Sequence, residues 1–184
     1  MTLPAHISGG YLALNLINKI NPNLGLSTNG LMIAGLVGSV LPDIDFVFFK
    51  YVKDHHNSWP HAPLFWIAIY LLVFALSLIL KNQAIKDYST ALIIGILTHL
   101  FLDWFNGRTA GIRIFYPLSE RVFSLYSLNP EKGKIPTFIF PNKEYGEFFL
   151  KFYVQNKFLL FSEIGLTISG IFLFIFNLLK GKII

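Results

Sequence analysis

The sequence predicts an all-α membrane protein, a polytopic bundle of about five spans with an interfacial loop and amphipathic-helix region before the last one. Three observations lead to this class. Hydrophobic residues make up 54% of the 184 positions and charged residues only 14%, against about 45–50% and about 25% in an average soluble domain. Mean hydropathy is +0.57. Apolar runs also recur at the length needed to cross about 30 Å of hydrocarbon, which takes about 20 residues. A chain this apolar cannot cover its own surface with polar groups, which excludes an ordinary soluble enzyme and a disordered chain. The net charge of +5 is scattered over loops and forms no basic stripe, so a nucleic-acid partner is not expected.

The elements follow from the apolar runs. Residues 62–80 and 158–179 are nearly free of charge and read as spans three and five. Residues 88–105 are apolar except for His99 and Asp103, and read as span four. Residues 30–49 are apolar but carry Asp43 and Asp45 after Pro42, and read as span two. Residues 4–20 are weaker, with His6, Gly9, Gly10 and Asn15. They lack the basic start and small-residue cleavage site of a signal peptide, so they read as a short first helix. The connection 106–157 is punctuated by Pro117, Pro130, Pro136 and Pro141. Within it, Glu144–Asn156 carries aromatic residues at helical spacing, as an interfacial helix would; a loop packed back on the bundle is the other reading. No repeat or linker divides the chain, so residues 1–184 are expected to form one membrane-embedded domain.

The ionisable residues are unevenly placed. All five histidines and all five aspartates fall within the first 103 residues. If the spans alternate across the bilayer, His6, Asp43, Asp45, His55, His56, His61, His99 and Asp103 reach one membrane face from four separate segments. A buried aspartate costs about 2.5–3.5 kcal/mol near the centre of a membrane helix. Burying several together is reasonable when they bind a cation. Each feature alone has a plainer reading. His99 and Asp103 are four apart on one helix face, suited to a shared ion or to a hydrogen bond between helices. Asp43 and Asp45 could mark a helix end, and His56 and His61 an interfacial loop anchored by Trp59. With no cysteine in the chain, a metal would need imidazole and carboxylate ligands.

Three segments carry a family resemblance: LPDIDFVF, then HHNSWPHAPLFW, then THLFLDWFNGRTAGIRIFYPLSERVFSL. In order, with His6 ahead of them, they resemble the membrane-bound metal-dependent hydrolases, described as LexA-binding, inner-membrane-associated hydrolases. The likeness covers residues 1 to about 125, through His6, Leu41–Asp45, His56 to His61, His99 with Asp103, and Gly111 with Tyr116–Ser119. Asn57, Pro60 and Ala62 stand where that family usually has Arg, Thr and Ser. The order of metal-type residues is also similar, more distantly, to part of the site of zinc-dependent phospholipase C. The later His and Glu ligands of those enzymes have no counterpart after His99.

The resemblance implies a membrane-embedded metal hydrolase that cleaves a phosphoester of a lipid or lipid-linked substrate. Its expected ligands are His6, Asp45, His61, His99 and Asp103, with Asp43 and His56 as further ligands or supporting partners. The expected metal is zinc, with manganese as the alternative; zinc lowers the pKa of a bound water to about 7. Asp43 is the expected general base and Glu163 a further candidate for base or ligand. Arg108 and Arg113 are the expected phosphate clamps. Two other classes remain open at this point, a metal-ion or proton-coupled transporter and a non-catalytic scaffold pinned by metal. The face carrying the site receives ten basic residues when the long connection is counted, against five on the other. The positive-inside rule then sets the site on the cytoplasmic side of the cell's inner membrane.

Overall fold

The computed structural model describes residues 1–48, 58–106, 111–125 and 157–181. Among these residues it contains five α-helices and no β-strand, only one isolated bridge between Ile112 and Phe123. Two of the helices are long and apolar enough to cross a membrane.

Helix α1 runs Leu3–Ile20, with Pro4 in the first turn, where proline's missing N–H costs nothing. It stops at Asn21, before Pro22, which disfavours helical geometry in the residue ahead of it. A 3₁₀ turn, Pro22–Leu24, leads to Gly25 in the left-handed region and on to α2, Asn29–Gly38. Here the structure departs from the expected single span over 30–49. The α-helix ends at Gly38, and the chain re-forms as a 3₁₀ helix over Leu41–Phe48. Pro42 lacks the N–H that would continue the α-helical ladder, which accounts for the break. At 1.5 Å per residue, α2 is about 15 Å long, half a bilayer core. The end of that expected span, the loop holding His55, His56 and Asn57, and most of the 106–157 connection with its expected amphipathic helix lie outside the described residues.

A second 3₁₀ turn, Trp59–His61, precedes α3, Pro63–Ile79. After a tight turn, the Asn82 side chain accepts a hydrogen bond from the Ile85 N–H at the start of α4, Gln83–Asn106. Helix α4 is roughly 36 Å long and begins well ahead of the apolar run that starts at Tyr88. Helix α5 is Lys157–Leu179.

Helix α4 is the centre of the packing, touching α1, α2 and α3, while α5 packs along α1. The closest crossing is α2 on α4. A Cβ placed on Gly95 would overlap the carbonyl oxygen of Gly35, and one on Gly38 would overlap that of Leu92. The two backbones touch because neither side chain intervenes, as small residues allow where helices associate in lipid. The α1–α5 seam has a seven-residue rhythm. Glu163, Gly170 and Asn177 are all buried on α5, and at that spacing they share one face. Glu163 Oε2 accepts from the Thr2 N–H at 3.2 Å, Ser8 packs on Gly170, and Asn177 donates to the Tyr11 hydroxyl at 2.9 Å and Asn15 Oδ1 at 3.2 Å. The opposite sides of α3 and α5 expose Leu72, Ile79, Phe161, Ile168 and Phe172, a surface suited to lipid.

Gly95→Ala should lower the thermal unfolding midpoint in detergent, by an overpacking cost of about 1–3 kcal/mol. Gly165→Ala, where an added Cβ meets nothing within 4 Å, should leave the midpoint unchanged or raise it. Equal effects at both positions would contradict the close α2–α4 crossing.

Candidate metal centre

Four elements bring imidazoles and carboxylates together at one end of α4. Helix α1 supplies His6, the 3₁₀ helix Leu41–Phe48 supplies Asp43 and Asp45, the turn Trp59–His61 supplies His61, and α4 supplies His99 and Asp103. His6, His61 and His99 are fully buried, and Asp103 nearly so. His99 and Asp103 lie on consecutive turns of one helix face, with His99 Nε2 and Asp103 Oδ2 3.0 Å apart.

The donor atoms fit a small cation. Two nitrogens, His61 Nε2 and His99 Nε2, face two oxygens, Asp43 Oδ1 and Asp103 Oδ2. His99 lies 3.5 Å from Asp43 and 3.0 Å from Asp103; His61 lies 3.5 Å and 3.8 Å from the same two atoms. Ligands held at about 2.0–2.2 Å around a tetrahedral ion stand about 3.3–3.6 Å from one another, and the four separations bracket that range. Two overlapping sets, His6–Asp43–His99 and His61–His99–Asp103, each bring their ligand atoms within 4.8 Å of one another. The angles matter as much as the distances. His99 Nε2 and both ring nitrogens of His6 are buried and make no hydrogen bond among the described residues. Carboxylate oxygens nevertheless lie 3.0 Å from His99 Nε2 and 3.2 Å from His6 Nε2. These nitrogens are close to oxygens without being aligned on them, as ligands sharing a central point are.

Other contacts orient the imidazoles. His99 Nδ1 lies 2.8 Å from the Ser39 carbonyl oxygen. A carbonyl only accepts, so Nδ1 carries the proton and Nε2 presents its lone pair to the site. The close α2–α4 crossing brings that carbonyl within reach. The His6 ring stacks on His99, with centroids 3.7 Å apart and planes 12° from parallel. Asp45 stands behind His61, its Oδ2 3.7 Å from His61 Nδ1, and accepts a hydrogen bond from the Ser58 hydroxyl. Ser58 also sits 3.5 Å from His61 Nδ1, and its carbonyl accepts from the His61 N–H. The Met1 amino group bonds Asp103 Oδ1, which also lies 3.2 Å from His6 Nε2, while Oδ2 faces His61 and His99.

The structure thus puts Asp43 among the converging donors and Asp45 on the far side of His61. In a 3₁₀ helix, with three residues per turn, side chains two apart point in different directions. Glu163 is buried against the N-terminus of α1, where its carboxylate complements the helix dipole. Arg113 lies past the end of α4, with its guanidinium over the Tyr116 ring. His56 and Arg108 fall outside the described residues. Sequence reasoning missed Ser39 and Ser58. A backbone carbonyl leaves no signature in a sequence, whereas Ser58 stands inside the HHNSWPH run and its spacing to His61 was open to view.

A family model described as YdjM inner membrane protein matches residues 1–179. It accords with the membrane part of the resemblance seen in the sequence and does not speak to hydrolysis or to phospholipase C. No curated protein and no solved structure matches the chain.

If the centre takes zinc, Ser58→Ala should lower its affinity for the ion by about 10–100-fold, the usual effect of losing a group that orients a ligand, with helix content unchanged. Competition against a chelator of known affinity measures this. Unaltered affinity would mean that the Asp45–Ser58 pair does not hold His61.

Proposed function

The chain belongs to the YdjM inner membrane protein family, and we propose that it is a multi-pass, membrane-embedded metal hydrolase whose substrate is a phosphoester of a lipid or lipid-linked molecule. The observation that carries this reading is the convergence of His6, Asp43, His61, His99 and Asp103 from four segments of the chain, at separations suited to one divalent ion. Carboxylates buried beside imidazoles in an apolar bundle carry a desolvation cost, and a dication offsets it. Nitrogen and oxygen ligands with no sulfur suit zinc, with manganese as the alternative.

Access separates catalysis from a purely structural site. The side chains of His6, His61, His99 and Asp103 are fully inaccessible, whereas that of Asp43 is 16% exposed. The centre is therefore reached from the Asp43 side. When bound, the metal supplies a water acidic enough to give hydroxide near neutral pH and a positive charge against phosphate oxygen. His61, His99 and Asp103 would hold the ion, with His6 as a further donor, and a position beside Asp43 would be left for water. Asp43, at the accessible edge, would take the proton of that water. Glu163 acts at one remove, fixing the start of α1 and so the height of His6. Arg113, and Arg108 in the segment before it, bind the phosphate. In this reading all five helices lie in the membrane, α2 with its 3₁₀ continuation as one broken passage, and the site faces the cytoplasm.

Elemental analysis of protein purified without chelators should find stoichiometric zinc or manganese in the wild type and none in His99→Ala. Absence of metal from both would overturn the proposal. Against a panel of phospholipids and lipid phosphates, the wild type should release phosphate or a phospho-headgroup. Asp43→Asn should cut the rate by about 10²–10⁴-fold, the range for a general base. Metal without turnover of any substrate would favour the scaffold, and metal movement across vesicles the transporter.

A further inference from the structure

We infer that the turn Arg113–Arg121 is a lipid-inserting knuckle, with Phe115 and Leu118 entering the bilayer interface beside the metal-site end of α4 and Arg113 and Arg121 engaging anionic lipid phosphates. The inference rests on the reading of α4 and α5 as membrane-crossing helices; it shares Arg113 with the proposed phosphate site, and its test reads membrane insertion instead of hydrolysis.

The segment is firmly attached. Ile112 and Phe123 exchange two backbone hydrogen bonds of 2.9 Å, and the Trp104 carbonyl accepts from the Leu125 N–H at 3.0 Å. Trp104 directly follows Asp103, so the segment is fastened to α4 at the metal centre. Ile112 is buried in one cluster with Ile96 and Leu100, against which Leu41 and Trp66 pack. Two further backbone hydrogen bonds, Tyr116 N–H to Arg113 and Ser119 N–H to Phe115, set the shape of the turn. At its outer edge stands Leu118, at 84% the most exposed large hydrophobic side chain among the described residues, with Phe115 at 47%.

Two features identify the surface that covers this edge. The first is continuity with the apolar flank of the helices. Leu125 is half exposed and hydrogen-bonded to Trp104, whose ring lies 5.6 Å from Phe101; Phe101 lies 6.3 Å from Phe105, and Phe105 lies 6.2 Å from Phe158 on α5. Phe101 and Phe158 are themselves more than half exposed, so one aromatic strip runs from α5 across α4 to Trp104, where the segment that carries the knuckle is attached through Leu125. The second is charge. Arg113 and Arg121 flank the apolar tip, each with its guanidinium over an aromatic ring, 5.9 Å from Tyr116 and 5.3 Å from Phe123 respectively. The Arg113 Nε–H is buried and has no hydrogen-bond partner among the described residues. Glu120 is the turn's one acid. An apolar tip with aromatic rings and a cationic collar is the chemistry of an interfacial anchor on anionic lipid.

The absence of cysteine makes single-site labelling direct. Leu118→Cys and Glu120→Cys in the full chain, labelled with bimane, would be placed in nanodiscs of phosphatidylcholine alone or mixed with phosphatidylglycerol. Nitroxide-labelled lipid should quench the label at 118 severalfold more than at 120, and aqueous iodide severalfold less. The contrast should grow with phosphatidylglycerol and lose that growth in an Arg113→Gln, Arg121→Gln background. Phe115→Cys gives an independent second site. Equal iodide access at 118 and 120 overturns the insertion, as does exclusion of both quenchers, which would mean a protein contact. Indifference to phosphatidylglycerol overturns the role of the arginines. Zinc content measured on the same samples reports separately on the metal reading.

Discussion

Negative charge without water is the constraint around which this bundle is arranged. Asp103 is buried at the end of a long apolar helix, and the chain brings positive or polar groups to it from every side. His61 and His99 approach one of its oxygens through ring nitrogens, and His6 and the Met1 amino group approach the other. Asp45 is likewise buried, and it is held by the Ser58 hydroxyl behind His61. An isolated carboxylate in such surroundings would be strongly destabilising, so each one sits in a network.

Meeting that constraint requires breaks in regular structure. A continuous α-helix through Leu41–Phe48 would carry Asp43 and Asp45 around its axis at α-helical spacing. The switch to 3₁₀ geometry after Gly38 turns Asp43 toward His61 and His99 and leaves Asp45 behind them. The turn at Trp59–His61 performs the same service for His61, with the Trp66 indole donating to the Pro60 carbonyl to hold it down. The α2–α4 crossing then sets the distance between the broken segment and His99 through the Ser39 carbonyl. Local irregularity thus supplies the aim, and helix packing supplies the spacing.

Much of this was legible in the sequence for simple reasons. Long apolar runs mark helices, and α1, α3, α4 and α5 lie where such runs occur. The pairing of His99 with Asp103 follows from helical periodicity, and the gathering of distant His and Asp residues was expected from a chain that turns back after each apolar run. The break after Gly38 was less legible, because apolarity continues unbroken to Phe49 and only Pro42 hints at it. Which of Asp43 and Asp45 turns inward depends on backbone geometry that composition does not encode. The Ser39 carbonyl could not be foreseen, since every residue carries one. The placement of Glu163 depended on knowing which face of α5 meets α1.

The heptad face of α5 has a mechanical consequence. Glu163 grips the beginning of α1, and Asn177, four turns away, grips Tyr11 and Asn15 near its far end. Sliding α5 by one turn would break both grips at once, and rotating it would swing the amide and the carboxylate out toward acyl chains. The two helices therefore behave like a bolt and its keyway, indexed at both ends and free to shift at neither. His6 rides on the fixed member of that pair, so the vertical position of one imidazole is set in part by an amide whose partners, Tyr11 and Asn15, stand some 8–14 Å further along α1, at roughly 1.5 Å per residue.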